Sequence, residues 1–360
     1  MSRRTDHSPD STHRLAEACP RCGRDRCQQR EETVAVSGIT TSGEKKLKLF
    51  SGRAHPELAR EVAASLGTEL VPTKALDFAN GEIYVRFLES ARGADCFVMQ
   101  SHTAPINQWI MEQLIMIDAL KRASARSITA ILPFYGYARQ DKKHLGREPI
   151  SARLVADLLR QAGADRLMAV DLHTAQIQGF FEGPVDHLFA LPLLADYVGG
   201  RVDRAKLTVV SPDAGRVKVA DQWCDRLDAP LAIIHKRRDI TQANTILSAE
   251  VVGDVQDRVC VLVDDMIDTA GTICAAADAL FESGAADVLV AATHGVLSGP
   301  AADRLKNSRV SEFVFTNTLP TPASLQLDKI TTLSIAPSIA AAIREVFEEG
   351  SVTSLFEGVH

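Results

Sequence analysis

No apolar run in this chain of 360 residues is long enough to cross a bilayer. The polar, charged N-terminal stretch has no apolar core of the kind that heads a secretory leader. Basic residues are not in excess either. The formal net charge is −6, which argues against broad binding to nucleic acid. The cysteines number 7, an odd count without framework spacing, so a reduced state in the cytoplasm is expected rather than a disulfide scaffold. No short-period repeat is visible. What remains is the composition of a globular protein: 46% of residues are hydrophobic, enough for a sizeable core. The length suggests about two domains.

Residues 1–45 differ from the rest. They are rich in Arg, Asp, Ser, Thr and Gln with little apolar periodicity, and are expected to be a disordered extension. Cys19-Pro20-Arg21-Cys22, followed by Cys27, has the outline of a zinc knuckle with His7 or His13 as a fourth ligand. The other readings are incidental cysteines in a tail, or a native start as late as Val36. Patterning begins at Lys46-Leu47-Lys48-Leu49-Phe50 and then alternates. Strand-like runs fall at 96–100, 128–132, 166–170, 207–210, 231–234, 259–263, 288–292 and 313–315. Helical stretches fall at 57–66, 106–121, 152–161, 215–226, 272–281 and 339–348. Such alternation implies βαβ units and mainly parallel sheets. The expected organisation is an N-terminal α/β domain over 46–189, a C-terminal one over 190–346, and a tail over 347–360. The stretch 106–121 is apolar around most of its circumference, which suits either a central core helix or a subunit interface.

The most informative segment runs from Arg258 to Thr272. An apolar strand, Val259–Val263, stops at Asp264 and Asp265. Then come Asp268-Thr269-Ala270-Gly271-Thr272 and a helical pattern. Ligands of open α/β sheets bind beyond the carboxyl ends of strands, and helix starts hold phosphate. Backbone N–H groups of Thr269 to Thr272 can wrap a phosphate, with Gly271 allowing close approach. Asp264 and Asp265 stand where vicinal sugar hydroxyls could be held. The segment resembles the ribose-5-phosphate-binding loop of the phosphoribosyltransferase fold. The plainer reading is an acidic turn capped by Asp and Thr.

Further segments carry chemistry. Phe78-Ala79-Asn80-Gly81-Glu82-Ile83 holds an Asn-Gly hairpin signal. Pro133 to His144, ending at Arg147, sets aromatics beside a dense basic cluster after a strand, which suits a nucleotide and its phosphates. Asp171-Leu172-His173 emerges at another strand end, where alternate residues can share a face. Carboxylates near phosphates recruit Mg²⁺. His235-Lys236-Arg237-Arg238-Asp239 opens a patternless stretch over 239–246, expected to be a mobile loop. A cation pair there suits charge developing in a phosphoryl transfer.

Taken together the chain resembles the ribose-phosphate pyrophosphokinase family from about Lys46 to Phe356. The resemblance rests on Tyr135-Gly136-Tyr137-Ala138-Arg139-Gln140-Asp141, Arg147-Glu148-Pro149-Ile150, Gln176-Ile177-Gln178-Gly179-Phe180-Phe181, Ser211-Pro212-Asp213, Lys236-Arg237-Arg238 and Asp264 to Thr272. The wording of Ser211 to Lys218 and of Thr293 to Ser298 looks most like actinobacterial members. The resemblance implies two phosphoribosyltransferase-like α/β domains, each a mainly parallel sheet flanked by helices. It implies transfer of the pyrophosphoryl group of ATP to the C1 hydroxyl of ribose 5-phosphate, giving AMP and phosphoribosyl pyrophosphate (PRPP) for nucleotide, His and Trp biosynthesis. It assigns ATP binding to Arg139, Gln140 and His173, and to Phe78, Asn80 and Glu82 reaching into a neighbouring subunit. Metal binding goes to His173 and Asp213 with Asp171, for two Mg²⁺ per active site. Ribose 5-phosphate goes to Asp264, Asp265, Asp268, Thr269, Ala270, Gly271 and Thr272, and Lys236 and Arg238 act as the catalytic cations. A homohexamer in the cytoplasm, with neither nucleic-acid nor membrane partners, is expected. Phosphate as activator and ADP as inhibitor would use an allosteric site with Ser90, Arg92, Ser351 and Thr353.

Several positions depart from the family pattern. Leu145 and Gly146 stand where regulated members carry basic and Ser residues, Arg216 replaces a small residue, and Glu182 stands where Asp is frequent. Two rivals share part of the pattern. A transferase that consumes PRPP would not need the Arg139-Gln140 or Lys236–Arg238 segments. A non-catalytic regulatory homologue should have lost the cations and phosphate donors that remain here.

Overall fold

The computed structural model describes residues 45–238, 246–322, 325 and 327–356, with backbone alone at 236–238 and 246–249. The N-terminal extension, its cysteine cluster and residues 239–245 of the expected loop lie outside the described residues. From Lys45 onward the described residues form one compact unit.

The chain opens with β1 (Leu47–Ser51), α1 (Pro56–Leu66), the hairpin strands β2 (Thr73–Asp77) and β3 (Ile83–Phe87), β4 (Asp95–Met99), α2 (Ile106–Arg122), β5 (Ser127–Leu132), α3 (Ser151–Ala162), β6 (Arg166–Val170) and β7 (Val185–Leu188). After α4 (Leu191–Gly199) come β8 (Leu207–Ser211), α5 (Val217–Leu227), β9 (Leu231–Arg238), β10 (Ile246–Val252), β11 (Val259–Ile267) and α6 (Gly271–Glu282). The chain closes with β12 (Asp287–Gly295), α7 (Ala301–Asn307), β13 (Glu312–Thr316), β14 (Ile330–Leu333) and α8 (Ala336–Glu348). One sheet has the order β1-β4-β5-β6-β7, parallel throughout. The other has the order β10-β9-β8-β11-β12-β13-β14, parallel except where β10 pairs with β9. Strands covered on both faces read as continuous apolar runs, as in Leu207-Thr208-Val209-Val210-Ser211, buried end to end.

One apolar layer lies between the sheets. It joins Leu49, Phe97 and Val170 of the first to Val209, Val261 and Val314 of the second, through α1, α4, α5 and α8. Helices α2 and α3 cover the outer face of the first sheet, and α6 and α7 that of the second. Helix α8 packs against α1, so the end of the expected C-terminal domain returns to the first sheet's side. Helix α2 takes the core role expected for it. Ile110, Met116, Ile117 and Leu120 enter the core, while Met111 is 51% exposed, and Leu154 and Leu158 of α3 are exposed in large part.

Two strands run further than their apolar runs. Pairing with β12 carries β11 past Val263, with Asp264 opposite Ala292 and Ile267 opposite Gly295, so Asp264 and Asp265 lie in the strand itself. Antiparallel pairing with β10 carries β9 to Arg238, with Lys236 opposite Ala249. The strands β7, β10 and β14 and the helices α4 and α7 were not legible as separate elements.

Two buried polar networks set the loops that frame the site. Glu112 of α2 is fully buried and accepts bonds from Arg53 N (2.7 Å), the Arg53 guanidinium and Gln100 Nε2 (2.9 Å). Arg53 also pairs with Asp77 (2.6 Å), which fixes the base of the Asn-Gly hairpin. Removing one partner of a buried ion pair leaves an uncompensated charge, so Glu112→Ala is expected to lose about 3–5 kcal/mol by denaturant unfolding. Glu112→Gln should lose distinctly less. An alanine variant of unchanged stability would contradict this account.

The second network lies beneath the aromatic-basic segment. Gly136 N donates to His102 Nδ1 (3.0 Å), and His102 Nε2 meets Gln113 Oε1 (2.9 Å). The ring is therefore neutral, with its proton on Nε2. Gln113 in turn donates to the carbonyls of Val98 and Ile131. A Cβ on Gly136 would sit 3.0 Å from the His102 Cβ, so the backbone must pass close to the ring. Burial pushes His102 from 6.5 down to about 4. A lowered pKa means that the unfolded chain binds the proton more readily. Stability from this group is therefore complete above pH 6.5 and is lost as the pH falls towards 4. The loss is on the order of 3 kcal/mol. Unfolding curves of His102→Gln between these pH values should be flatter than those of the unmodified chain; parallel curves would remove His102 as the cause.

Candidate active site

A cavity of about 280 Å³ opens at the carboxyl ends of the strands. It is lined by Arg139 after β5, His173 after β6, Asp213 and Arg216 after β8, Asp264 and Asp265 of β11, and the segment through Ile273 that starts α6. This is the edge where open α/β sheets bind ligands.

The loop from Asp268 to Thr272 is held by its carbonyls. Leu297 N donates to Ile267 O (3.0 Å), Ser298 N to Asp268 O (2.9 Å) and Arg304 Nη1 to Thr269 O (2.8 Å). Ala270, with φ 60°, takes the left-handed region that turns the chain into α6. The first N–H groups of a helix have no acceptor within it, so the start of α6 presents donors to the cavity. A Cβ on Gly271 would stand 3.0 Å from Arg304 Nη1. Ser298 and Arg304 support this loop from far along the sequence. No local pattern could have disclosed them.

The acid pair is tightly furnished. His173 Nδ1 lies 2.7 Å from Asp265 Oδ2 and 2.8 Å from Arg216 Nη2. One nitrogen cannot donate to the first and accept from the second. The charge-assisted pairing with Asp265 prevails, since Arg216 has Asp265 Oδ1 as its own acceptor. Arg216 also donates to the His173 carbonyl (3.0 Å) and approaches Asp264 Oδ1 to 3.3 Å. Burial and the neighbouring Asp265 charge push Asp264 well above the usual carboxylate range. Burial opposes ionisation of Asp265 as well, but the His173 hydrogen bond and the Arg216 charge outweigh it and hold that carboxyl below its ordinary value. Arg216, noted in the sequence only as a departure, thus stands at the centre of the site.

Other expected residues are distributed as follows. Arg139 pairs with Asp268 (2.8 Å), joining the basic segment to the loop before α6. Asp268 also accepts from the Ser298 hydroxyl. Gln140 accepts from Ser151 Oγ (2.7 Å) and lies outside the cavity lining. Asp213 caps the turn after β8 by accepting from Gly215 N (2.8 Å). Asp171 does not line the cavity. Its carboxylate accepts from Thr293 Oγ1 (2.6 Å) and Ala190 N (3.0 Å), and burial raises it to about 6. The strand-end alternation that grouped Asp171 with His173 is overridden by these inward partners. Among the described residues no group of three His, Cys, Asp or Glu side chains could hold a metal ion.

Phe78, Asn80 and Glu82 form an exposed hairpin tip outside the cavity lining, with Phe78 against Tyr84. Arg92 N donates to Ser90 Oγ (3.4 Å) in the loop after β3. Thr353 lines a separate cavity of about 270 Å³ with Gln178, His187 and Phe356, and neither Ser90, Arg92 nor Ser351 is in that lining. The side chains of Lys236 and Arg238 lie outside the described residues, although their backbone ends β9.

Comparison with known proteins agrees with this architecture. Residues 47–163 match the family model of the N-terminal domain of ribose phosphate pyrophosphokinase, and residues 239–357 that of the phosphoribosyl synthetase-associated domain. A ribose-phosphate pyrophosphokinase of Streptomyces avermitilis is 80% identical over 322 residues, covering 89% of this chain and 99% of the relative. The one from Mycobacterium tuberculosis is 59% identical over 319 residues, covering 88% and 98%. The crystal structure of phosphoribosylpyrophosphate synthetase from Mycobacterium smegmatis superposes with a TM-score of 0.81 at 60% identity, over 85% of this chain and 100% of that one. With two family models and relatives of this identity spanning nearly all of the globular part, the chain belongs to the ribose-phosphate pyrophosphokinase family.

Proposed function

We propose that the cavity at the end of β11 transfers the pyrophosphoryl group of ATP to the C1 hydroxyl of ribose 5-phosphate, yielding PRPP and AMP. The observation that carries this reading is the continuous path from the Asp264–Asp265 pair into the loop and helix start of α6, with Arg139 tied to that loop through Asp268. A sugar phosphate fits such a path, with hydroxyls at the carboxylates and phosphate at the N–H groups from Thr269 to Thr272. Arg139 and Gln140 serve ATP. The C1 oxygen bonds to the β-phosphorus as the bond to the bridging α-phosphate oxygen breaks, and AMP leaves. Such transfers rest on positioning and charge stabilisation.

Mg²⁺ fits the donor chemistry as a shared ligand. It is commonly held by one or two carboxylates together with substrate phosphates and water, so a preformed cluster of three protein ligands is not needed. Asp213 and His173 would hold it, and when bound it neutralises phosphate charge. Two ions per site extend this reading. Asp171, anchored by the Thr293 and Ala190 bonds, would support the metal cluster by fixing the backbone two residues before His173. Lys236 and Arg238, at the end of β9, meet the charge growing on the departing α-phosphate. The exposed hairpin tip at Phe78 and the exposed apolar side chains of Met111, Leu154 and Leu158 support an oligomer, a hexamer in this reading, in which Phe78, Asn80 and Glu82 complete a neighbour's ATP site. Thr353 and the cavity it lines, with Ser90, Arg92 and Ser351, would serve phosphate regulation. A cytoplasmic site of action belongs to the same reading; no described helix is long and apolar enough to cross a membrane.

Incubation with ATP, Mg²⁺ and ribose 5-phosphate, with and without phosphate, should give AMP and PRPP in equal amounts, dependent on the sugar phosphate. No turnover by folded protein in either buffer would overturn the reading. Lys236→Ala is expected to lose roughly 10²–10³-fold in kcat, and near-normal turnover would remove that cation from its role.

A further inference from the structure

Arg216 is placed by a rigid local device. Asp213 caps the short turn Ala214–Arg216, and Ser211 Oγ donates to the Asp213 carbonyl (2.7 Å), so the chain leaves β8 in one conformation. The Arg216 side chain is 16% exposed and divides its nitrogens among distinct acceptors. Nη1 takes the His173 carbonyl, Nη2 takes Asp265 Oδ1, and Nε faces Asp264 Oδ1. These acceptors belong to the segment after β6, from the first sheet, and to β11, from the second. The bonds on Asp264 converge on one oxygen, because Asp265 N also donates to Asp264 Oδ1 (2.9 Å).

We propose that Arg216 is a positioning residue for ribose 5-phosphate: its guanidinium clamps Asp264, Asp265 and His173 into one arrangement, so that the acid pair presents Asp264 to the vicinal hydroxyls of the sugar. The proposal rests on the reading of the cavity given above. A planar guanidinium suits this task because its donors lie in a fixed fork. An ammonium supplies the charge without the fork. The clamp acts on the sugar side of the cavity. The ATP side is reached through Arg139 and the exposed hairpin, and His173, which serves Mg²⁺ and ATP in this reading, keeps its own bond to Asp265 when Arg216 is removed. Removing the clamp should therefore weaken the two substrates unequally, a split that mere loss of packing would not give.

The test titrates ribose 5-phosphate by calorimetry into protein holding Mg²⁺ and a non-cleavable ATP analogue, for the unmodified chain, Arg216→Ala and Arg216→Lys, beside steady-state KM values. Arg216→Ala should weaken ribose 5-phosphate about 10- to 100-fold, with the KM for ATP within about threefold and Arg216→Lys between the two. Thermal melts report folding, and the lysine variant serves if the alanine variant does not fold. Ribose 5-phosphate binding unchanged within about twofold in a folded variant, or equal weakening of both substrates, overturns the role of Arg216. The unmodified chain separates this failure from the deeper one. If it makes PRPP while the variants behave like it, only the clamp is wrong; if it makes none, the reading of the cavity falls and the clamp with it.

Discussion

The site depends on putting adjacent carboxylates into a buried strand end. Charged groups in a low-dielectric interior must be paired, hydrogen-bonded or neutralised by a proton. β11 imposes this problem because its pairing with β12 continues through Asp264 and beyond. The surrounding side chains then follow as consequences. His173 and Arg216 gather on Asp265, Asp265 N turns to Asp264, and Asp264 retains a raised proton affinity. A site that holds a sugar's hydroxyls with carboxylates needs such acids near, but not in, bulk water.

The same constraint explains the polar seam between the sheets. Asp171 accepts from Thr293, His294 reaches the Asp171 carbonyl and Thr318, Ser101 donates to the Thr318 carbonyl, and His55 meets the Asn317 carbonyl. Apart from the bond between His294 and Thr318, which lies within the second half, each tie joins the first sheet's half to the second's. Carbonyls at strand ends have no ladder partner and must find donors elsewhere when covered. Here they find them across the seam. The seam lies on the side of the cavity, so its satisfied polar groups fix the relative position of residues that come from different sheets.

The alternation of strands and helices was legible because buried parallel strands announce themselves as apolar runs and helices by their period. The ends of β9 and β11 were not, since they are set by partner strands rather than by their own composition. Of the site, the Asp268–Thr272 loop was readable as a local motif, and His173, Asp213 and Arg139 do line the same cavity as that loop. Asp171 was grouped with them because a strand alternates faces, but alternation says nothing about what waits on the inner face. Arg216, Ser298 and Arg304 escaped as site residues because their partners are distant in sequence. Only the departure from a small residue marked Arg216 at all.

The charges of the cavity form a coherent arrangement. Its acids would repel polyanionic substrates if they stood alone. Instead Asp268 is met by Arg139, and Asp264 and Asp265 by Arg216. These pairs are internal to the chain and offset part of the negative charge that substrate phosphates would meet in the proposed reaction. The pairs differ in kind. Arg139 is more than half exposed and can exchange its partner for a phosphate at small cost, as surface ion pairs are weak. Arg216 is mostly buried, and separating it from its acids would strand charges in the interior. The exposed arginine is thus suited to move with substrate. The buried one is suited to stay, and the difference follows from burial alone.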